Sequence, residues 1–316
     1  MARRLRVEFP GAIYHVLNRG DHREDIFRDD PDRERFLETL GEACEKTRWQ
    51  VHAFCLMRNH FHLVLETPEP NLVAGMKWLL GTYTARFNRR HKVSGHLFSG
   101  RYKSLLVGGE GGYLRTVCEY VHLNPVRAKL LGPEEPLRSY RWSSFLEYVQ
   151  PPSRRVGWLR VDRLFGEMGI PQDSAAGRRE FERRLEERRA QEEGAEFKAI
   201  RRGWCFGDEQ FRQELLGQMS EKVGRSHYGP EVQETAEDRA RRILAEELRR
   251  RKWTEADLAK KRKGDAGKVE MARRLRAETT MTLAWIAQRL QMGTKTHVAH
   301  LLYWQQREKG KAELRS

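Results

Sequence analysis

Cysteine is scarce: Cys44, Cys55, Cys118 and Cys205 are the only four in 316 residues, and no C-x-x-C occurs. Thiols this far apart exclude a cysteine-based zinc module and a disulfide framework, and fit a reducing compartment. Long apolar runs are missing too. No stretch of 18 apolar residues exists and mean hydropathy is −0.79, so no membrane-spanning helix is expected. The opening MARRLRVEFPGAIYHV has charge but no apolar stretch, so no secretory signal is expected. These absences suggest a cytoplasmic protein with no membrane partner. Acidic residues are absent over residues 70–109.

Basic charge, by contrast, is plentiful. Lys and Arg number 60 against 45 Asp and Glu, for a net charge of +15 and a pI near 9.9. Such a balance favours a nucleic-acid partner and a place at the nucleoid. The charge is about +5 over residues 1–150, zero over 151–235 and +10 over 236–316. With Pro151-Pro152-Ser153 as a boundary signal, this suggests a first domain over 1–150, a charged helical middle segment or linker over 151–235, and a basic helical domain over 236–316. The alternating charges of 177–198 fit a solvated helix laced with i,i+4 pairs. In the acid-free window Lys77, Arg86, Arg89, Arg90, Lys92, Arg101 and Lys103 interleave with Trp78, Tyr83, Phe87, Phe98 and Tyr102. Cations for phosphates and rings for bases would suit a single-strand groove. Core aromatics with cations on a solvated face would give the same pattern, and the sequence leaves the two readings level.

Periodicity predicts strands over 12–19, 49–57, 60–67 and 101–107, and helices over 29–47, 71–91 and 111–123. The last helix should stop at Asn124-Pro125, because proline disfavours helical backbone in the residue before it. The order β-α-β-β-α-β plus one helix predicts an α+β, ferredoxin-like (RRM-like) antiparallel sheet.

In HFHLVLET, residues two apart share a strand face. Phe61, Leu63 and Leu65 should face the core, and His60 and His62 the other side, where two neutral imidazoles are a start on a divalent-metal site. A surface histidine pair is the plainer alternative. In YLRTVCEYVHLNP, Leu114, Val117, Cys118 and Val121 form the buried stripe of a helix. Tyr120 and Asn124, four apart, lie together off that stripe. A phenol is a weak nucleophile near neutral pH. It becomes useful where a metal polarises the phosphodiester it attacks, and the phosphotyrosine then keeps the cleaved linkage available for rejoining. Tyr113 occupies nearly the same helical face and is the second candidate nucleophile; His122 reads as structural or solvent-facing.

These residues, together with Tyr14-His15-Val16, Arg19-Gly20, Gly100-Arg101-Tyr102-Lys103, the run from Tyr120 to Arg127 and Tyr140-Arg141-Trp142-Ser143-Ser144, resemble the single-tyrosine HUH transposases of single-strand insertion sequences, specifically their REP-associated tyrosine transposase branch. The resemblance spans about residues 5–150. It implies Mg²⁺ or Mn²⁺ held by His60 and His62, with Asn124 at the position of a third polar ligand. It implies Tyr120 as the nucleophile that forms a 5′-phosphotyrosine and frees a 3′-OH. The implied substrate is single-stranded DNA beside a short imperfect hairpin of a repeated palindromic element. Lys77, Arg86, Arg89, Arg90, Arg101, Lys103 and Arg127 are the candidate DNA contacts of this part, and a homodimer is compatible with it.

Residues 236–316 read as helices throughout. Segments 282–290 and 296–306 share an apolar seam of Leu283, Ile286, Ala287, Leu290, Val298, Leu301 and Leu302, and a glycine-containing turn joins them. That is a helix-turn-helix pattern, whose second helix enters a major groove. Lys295, Thr296, His297 and His300 are its candidate contacts, and duplex DNA its expected partner. A helical docking or dimerisation module is the alternative.

The reading expected from sequence is therefore a metal-dependent enzyme that nicks and rejoins single-stranded DNA near hairpins. The alternative is a non-catalytic, sequence-specific DNA-binding regulator acting through the C-terminal helix-turn-helix. A metal-dependent hydrolase is a third reading, weakened because Glu66, the nearest carboxylate on the histidine face, is poorly placed as a ligand.

Overall fold

A computed structural model describes residues 6–190, 197, 200, 203–222 and 230–313. The chain divides into two compact units, residues 1–227 and 228–316.

In the first unit, β1 (Ala12–Arg19), α1 (Asp30–Thr47), β2 (Gln50–Leu56), β3 (His60–Thr67), α2 (Leu72–His91) and β4 (Lys103–Val107) follow the expected order. The sheet order is β2-β3-β1-β4, with antiparallel neighbours, which is the ferredoxin-like arrangement. A short β5 (Cys205–Phe206), not expected from sequence, adds to β4 in parallel. α1 begins where Asp29 accepts from the Asp32 amide and Pro31 occupies the first turn. α1 and α2 cover one sheet face, on which Phe36 meets Phe61 (centroids 4.9 Å) and Tyr83 (5.1 Å).

That packing decides the ambiguity of the acid-free window. Trp78, Tyr83, Phe87, Phe98 and Tyr102 are all buried. The rings are core, held there by the helical spacing of Met76, Leu79, Tyr83 and Phe87 on α2, and they present no faces to bases.

The opposite face carries α3 (Tyr113–His122), which lies across β2, β3 and β4. It ends near the expected proline, but the chain turns directly into α4 (Asn124–Arg127), where Pro125 sits in a first turn that needs no donor from it. The Tyr140–Ser144 motif runs along the free edge of β2: Leu56 donates to Trp142, Ser144 donates to Phe54, and the Tyr140 hydroxyl donates to the Leu56 carbonyl. Open sheet edges invite unwanted pairing, and this segment closes one.

Residues 151–190, expected as a charged middle segment, pack into this same core. After α5 (Phe145–Val149), helices α6 (Asp162–Glu167) and α7 (Ala175–Ala190) bury Leu164, Phe165, Phe181 and Leu185. The outer side of α7 carries the expected ion pairs, Arg183 and Arg184 with Glu180 among them. The remainder of that charged run, residues 191–196 and 198, lies outside the described residues. α8 (Glu209–Lys222) is the last helix of this unit.

The second unit is helical: α9 (Pro230–Arg251), α10 (Glu255–Lys260), α11 (Ala266–Glu278), α12 (Leu283–Arg289) and α13 (Lys295–Glu313). Ile286, Ala287, Leu290 and Val298 of the predicted seam are buried, and Leu283, Leu301 and Leu302 pack on them half-buried. The turn between α12 and α13 passes through Gly293 at φ +89°, a backbone region that glycine enters without strain. Lys268 is buried beneath this turn and donates from Nζ to the carbonyls of Lys261 and Gln291, 3.2 Å each. Among the described residues no helix is long and apolar enough to cross a membrane.

Candidate active site

His60 pairs with Arg19 and His62 with Leu17 across β3 and β1. The twofold period of the strands therefore puts His60, His62, His15 and Arg19 on one face. The His60 and His62 ring centroids lie 5.2 Å apart. His62 is buried, and its Nδ1 lies 2.9 Å from Nε2 of His15; His60 bonds through Nδ1 to Asn59 at 2.8 Å. Burial, reinforced by the positive charge of Arg19, pushes His60 down to about 4. Burial first, then the neighbouring histidines and arginines, holds His62 well below the usual imidazole range. Both rings are therefore neutral at physiological pH, which is the form that binds metals.

α3 places Tyr120 over this face. Its ring centroid is 5.9 Å from that of His62 and 5.6 Å from that of His15, both edge-on. Phe197 lies 5.3 Å away on another side. Arg127, one helical turn beyond Asn124, folds back so that Cζ is 4.0 Å from the Tyr120 ring centroid, and its guanidinium donates to the Tyr120 carbonyl. Among the described residues no protein group hydrogen-bonds the Tyr120 hydroxyl. Asn124 is buried, and its Nδ2 has no partner among the described residues.

The structure thus gathers His60, His62, Tyr120 and Arg127, with Asn124 one turn beyond the tyrosine. Lys103 joins them on the same face, since it pairs with Leu17. It does not gather the cations of α2. That helix lies on the Phe61 face, where Arg86 pairs with Glu42, Arg90 pairs with Asp29 and Asp32, and Lys77 and Arg89 are exposed. Arg101 is exposed in the loop before β4. Lys295, Thr296, His297 and His300 are exposed on the first turns of α13 in the second unit. Tyr113 packs against Phe206 (5.1 Å) two turns away from Tyr120. His122 is structural: it is buried, with Nε2 2.8 Å from the Ser144 hydroxyl. Glu66 is engaged by His52, Arg160 and Arg163, and stands six residues along β3 from His60, about 20 Å at strand rise.

His15 and Arg19 were not singled out from sequence as site residues. The alternation of β1 would have put them on one face, but only the pairing of β1 with β3 brings that face to the histidines. Gly20, which follows, is fixed by space: a Cβ there would stand 2.0 Å from the Glu24 carbonyl oxygen.

Among the described residues no group of three His, Cys, Asp or Glu side chains could hold a metal ion. The His60–His62 pair fits a divalent cation as two neutral nitrogen donors, with further ligands left to an amide oxygen or a bound phosphate. Asn124 would contribute through its amide oxygen, since its partnerless Nδ2 is a hydrogen-bond donor and not a metal ligand.

Comparison with known proteins adds an independent finding. No curated protein matches the chain. One solved structure, described as a REP-associated tyrosine transposase bound to a REP hairpin, is 13% identical with a TM-score of 0.40, over 47% of this chain and 86% of that one. Residues 9–124, which hold the sheet from β1 to β4, the histidine pair, Tyr120 and Asn124, match the family of IS200-like transposases. Residues 9–124 of the first unit are therefore similar to the IS200-like transposases.

Proposed function

We propose that this protein cuts and rejoins single-stranded DNA beside a short hairpin of the repeated palindromic kind, with Tyr120 as nucleophile. The observation that carries the reading is the meeting of Tyr120 with the His60–His62 pair on one sheet face, from stretches some sixty residues apart. The hairpin substrate rests on the sequence motifs that resemble the REP-associated branch. Attack by Tyr120 Oη on the scissile phosphorus forms a P–O bond and breaks the bond to the 3′ oxygen. The phenol gives up its proton and the departing oxygen gains one, so the products are a 5′-phosphotyrosine and a 3′-OH. Reversal of the same exchange with another 3′-OH rejoins the strand.

His60 and His62, with Asn124, would hold Mg²⁺ or Mn²⁺; when bound, such an ion supplies Lewis-acid polarisation of the phosphate. Arg127 fixes the Tyr120 ring. Arg19 and Lys103, on the two strands that follow the histidine strand in the sheet, offer exposed charge for the DNA backbone to one side of the histidines. A cytoplasmic protein at the nucleoid fits this substrate. Incubating the full chain with a single-stranded hairpin oligonucleotide and Mn²⁺ should give a covalent adduct that resists denaturation and is missing in Tyr120→Phe. Cleaved DNA with free ends and no attached protein would instead support the hydrolase.

A second reading concerns the other unit. Exposure of Lys295, Thr296, His297 and His300 along the start of α13 favours duplex binding there, alongside the chemistry. Lys295→Ala with His297→Ala should weaken duplex binding by the full chain while adduct formation on single strands continues.

A further inference from the structure

We infer that His15 is a positioning residue: by accepting a hydrogen bond from His62 Nδ1–H, it leaves the Nε2 lone pair of His62 as the one that faces a cation. The inference rests on the proposed reading of His62 as a metal ligand and deepens it.

The geometry is that of an edge-to-edge bond. The two ring planes are 13° apart, the centroids 5.1 Å apart, and His15 Nε2 lies 2.9 Å from His62 Nδ1. A face-to-face stack at that centroid distance could not bring two nitrogens so close; coplanar rings joined nitrogen to nitrogen can. Pairing explains the reach. His15 stands opposite Val64 and Leu17 opposite His62, so His15 is the diagonal neighbour of His62 on the adjacent strand. Diagonal positions are close enough for ring side chains to meet. Both rings are buried, at 5% and 4% exposure, so water does not compete for this bond.

Neutral imidazole carries one N–H. If His15 donates, the proton of His62 sits on Nε2 and no lone pair there is available to a metal. If His62 donates, His15 carries its own proton on Nδ1, and Nε2 of His62 is free. Among the described residues Nε2 of His62 has no hydrogen-bond partner, so a proton on Nδ1 is the one a protein group can accept, and that group is His15. A partner of this kind sets ring orientation and ligand basicity.

The test uses the full chain without DNA, in wild type, His15→Phe and His15→Gln. Phenylalanine keeps the ring volume and removes the acceptor; glutamine places an acceptor near the position of Nε2. Mn²⁺ affinity is measured by titration calorimetry or by loss of the free-ion EPR signal, folding by thermal midpoint, and the tautomer of His62 by long-range ¹H–¹⁵N correlation in the metal-free wild type. The expected result is roughly 10–100-fold weaker Mn²⁺ binding in His15→Phe, near-wild-type binding in His15→Gln, and a proton on Nδ1 of His62. A His15→Phe protein with the wild-type midpoint and wild-type Mn²⁺ affinity would overturn the inference. So would a proton on Nε2 of His62, a result that does not depend on any variant folding. Mn²⁺ binding that persists in His60→Ala overturns the proposed metal site itself, and is thereby separated from failure of the His15 bond.

Discussion

Arg127 lies over the ring of Tyr120, Cζ 4.0 Å from the centroid, and donates to the carbonyl of the same residue. The guanidinium thereby holds both the ring and the backbone of the candidate nucleophile. A contact between a cation and an aromatic face is worth about 1 kcal/mol when partly shielded from water. Arg127→Lys loses the planar fit and keeps the charge. It should slow adduct formation by roughly fivefold, with little change in thermal midpoint, measured as single-turnover adduct yield against time.

Tyr120→Phe removes a hydroxyl that bonds no described protein group. Adduct formation should vanish while stability changes by no more than about 0.5 kcal/mol, read from denaturant unfolding.

Stability should depend on pH through His122. Burial among Phe145, Tyr148 and Phe181 pushes this imidazole down to about 3 from an ordinary value near 6.5. Between those values the unfolded chain binds a proton that the folded chain does not. The stabilising share of the neutral ring is thus complete above about pH 6.5 and is lost as pH falls towards 3, at up to about 1.4 kcal/mol per pH unit. Thermal midpoints between pH 4 and 8 should fall less steeply in His122→Gln than in wild type.

The two groups of cations should behave differently. Arg90 pairs with Asp29 and with the buried Asp32 on the face away from the histidines. Arg90→Gln should lower the thermal midpoint and leave adduct yield near wild type. Arg19→Gln combined with Lys103→Gln should do the reverse, weakening single-strand binding and flattening its salt dependence.

Lys268 closes the C-terminal ends of α10 and α12 through two carbonyls. Burial lowers its pKa, and its Nζ hydrogens satisfy both carbonyls. Lys268→Met keeps the length of the aliphatic stem and orphans both carbonyls, and should cost about 1–3 kcal/mol. Hydrogen exchange should quicken first in the turn at 290–294.

Much of the site was legible because its two halves are local patterns. Alternation in HFHLVLET separates core from histidines whatever the strand packs against, and a four-residue spacing keeps Tyr120 and Asn124 together on any helix. The element order was readable for the same reason, as strand and helix periods are properties of short windows. The cations of 70–109 show the limit. Composition could not say which side of the sheet α2 would take, so Arg86 and Arg90 looked like groove residues until α1 supplied their carboxylates. The middle segment misled similarly: a helix that is charged on most of its surface needs only Phe181 and Leu185 to enter a core.

From residues alone came the chemistry: two imidazoles, one phenol, one amide and a basic background, each with a face assigned by its own period. Tertiary structure decided which faces meet. The antiparallel pairing of β1 with β3 brought His15 and Arg19 to the histidines, and the seating of α3 on that side brought Tyr120 and Arg127. Strand register and helix placement depend on contacts between segments far apart in sequence, and no single window contains them.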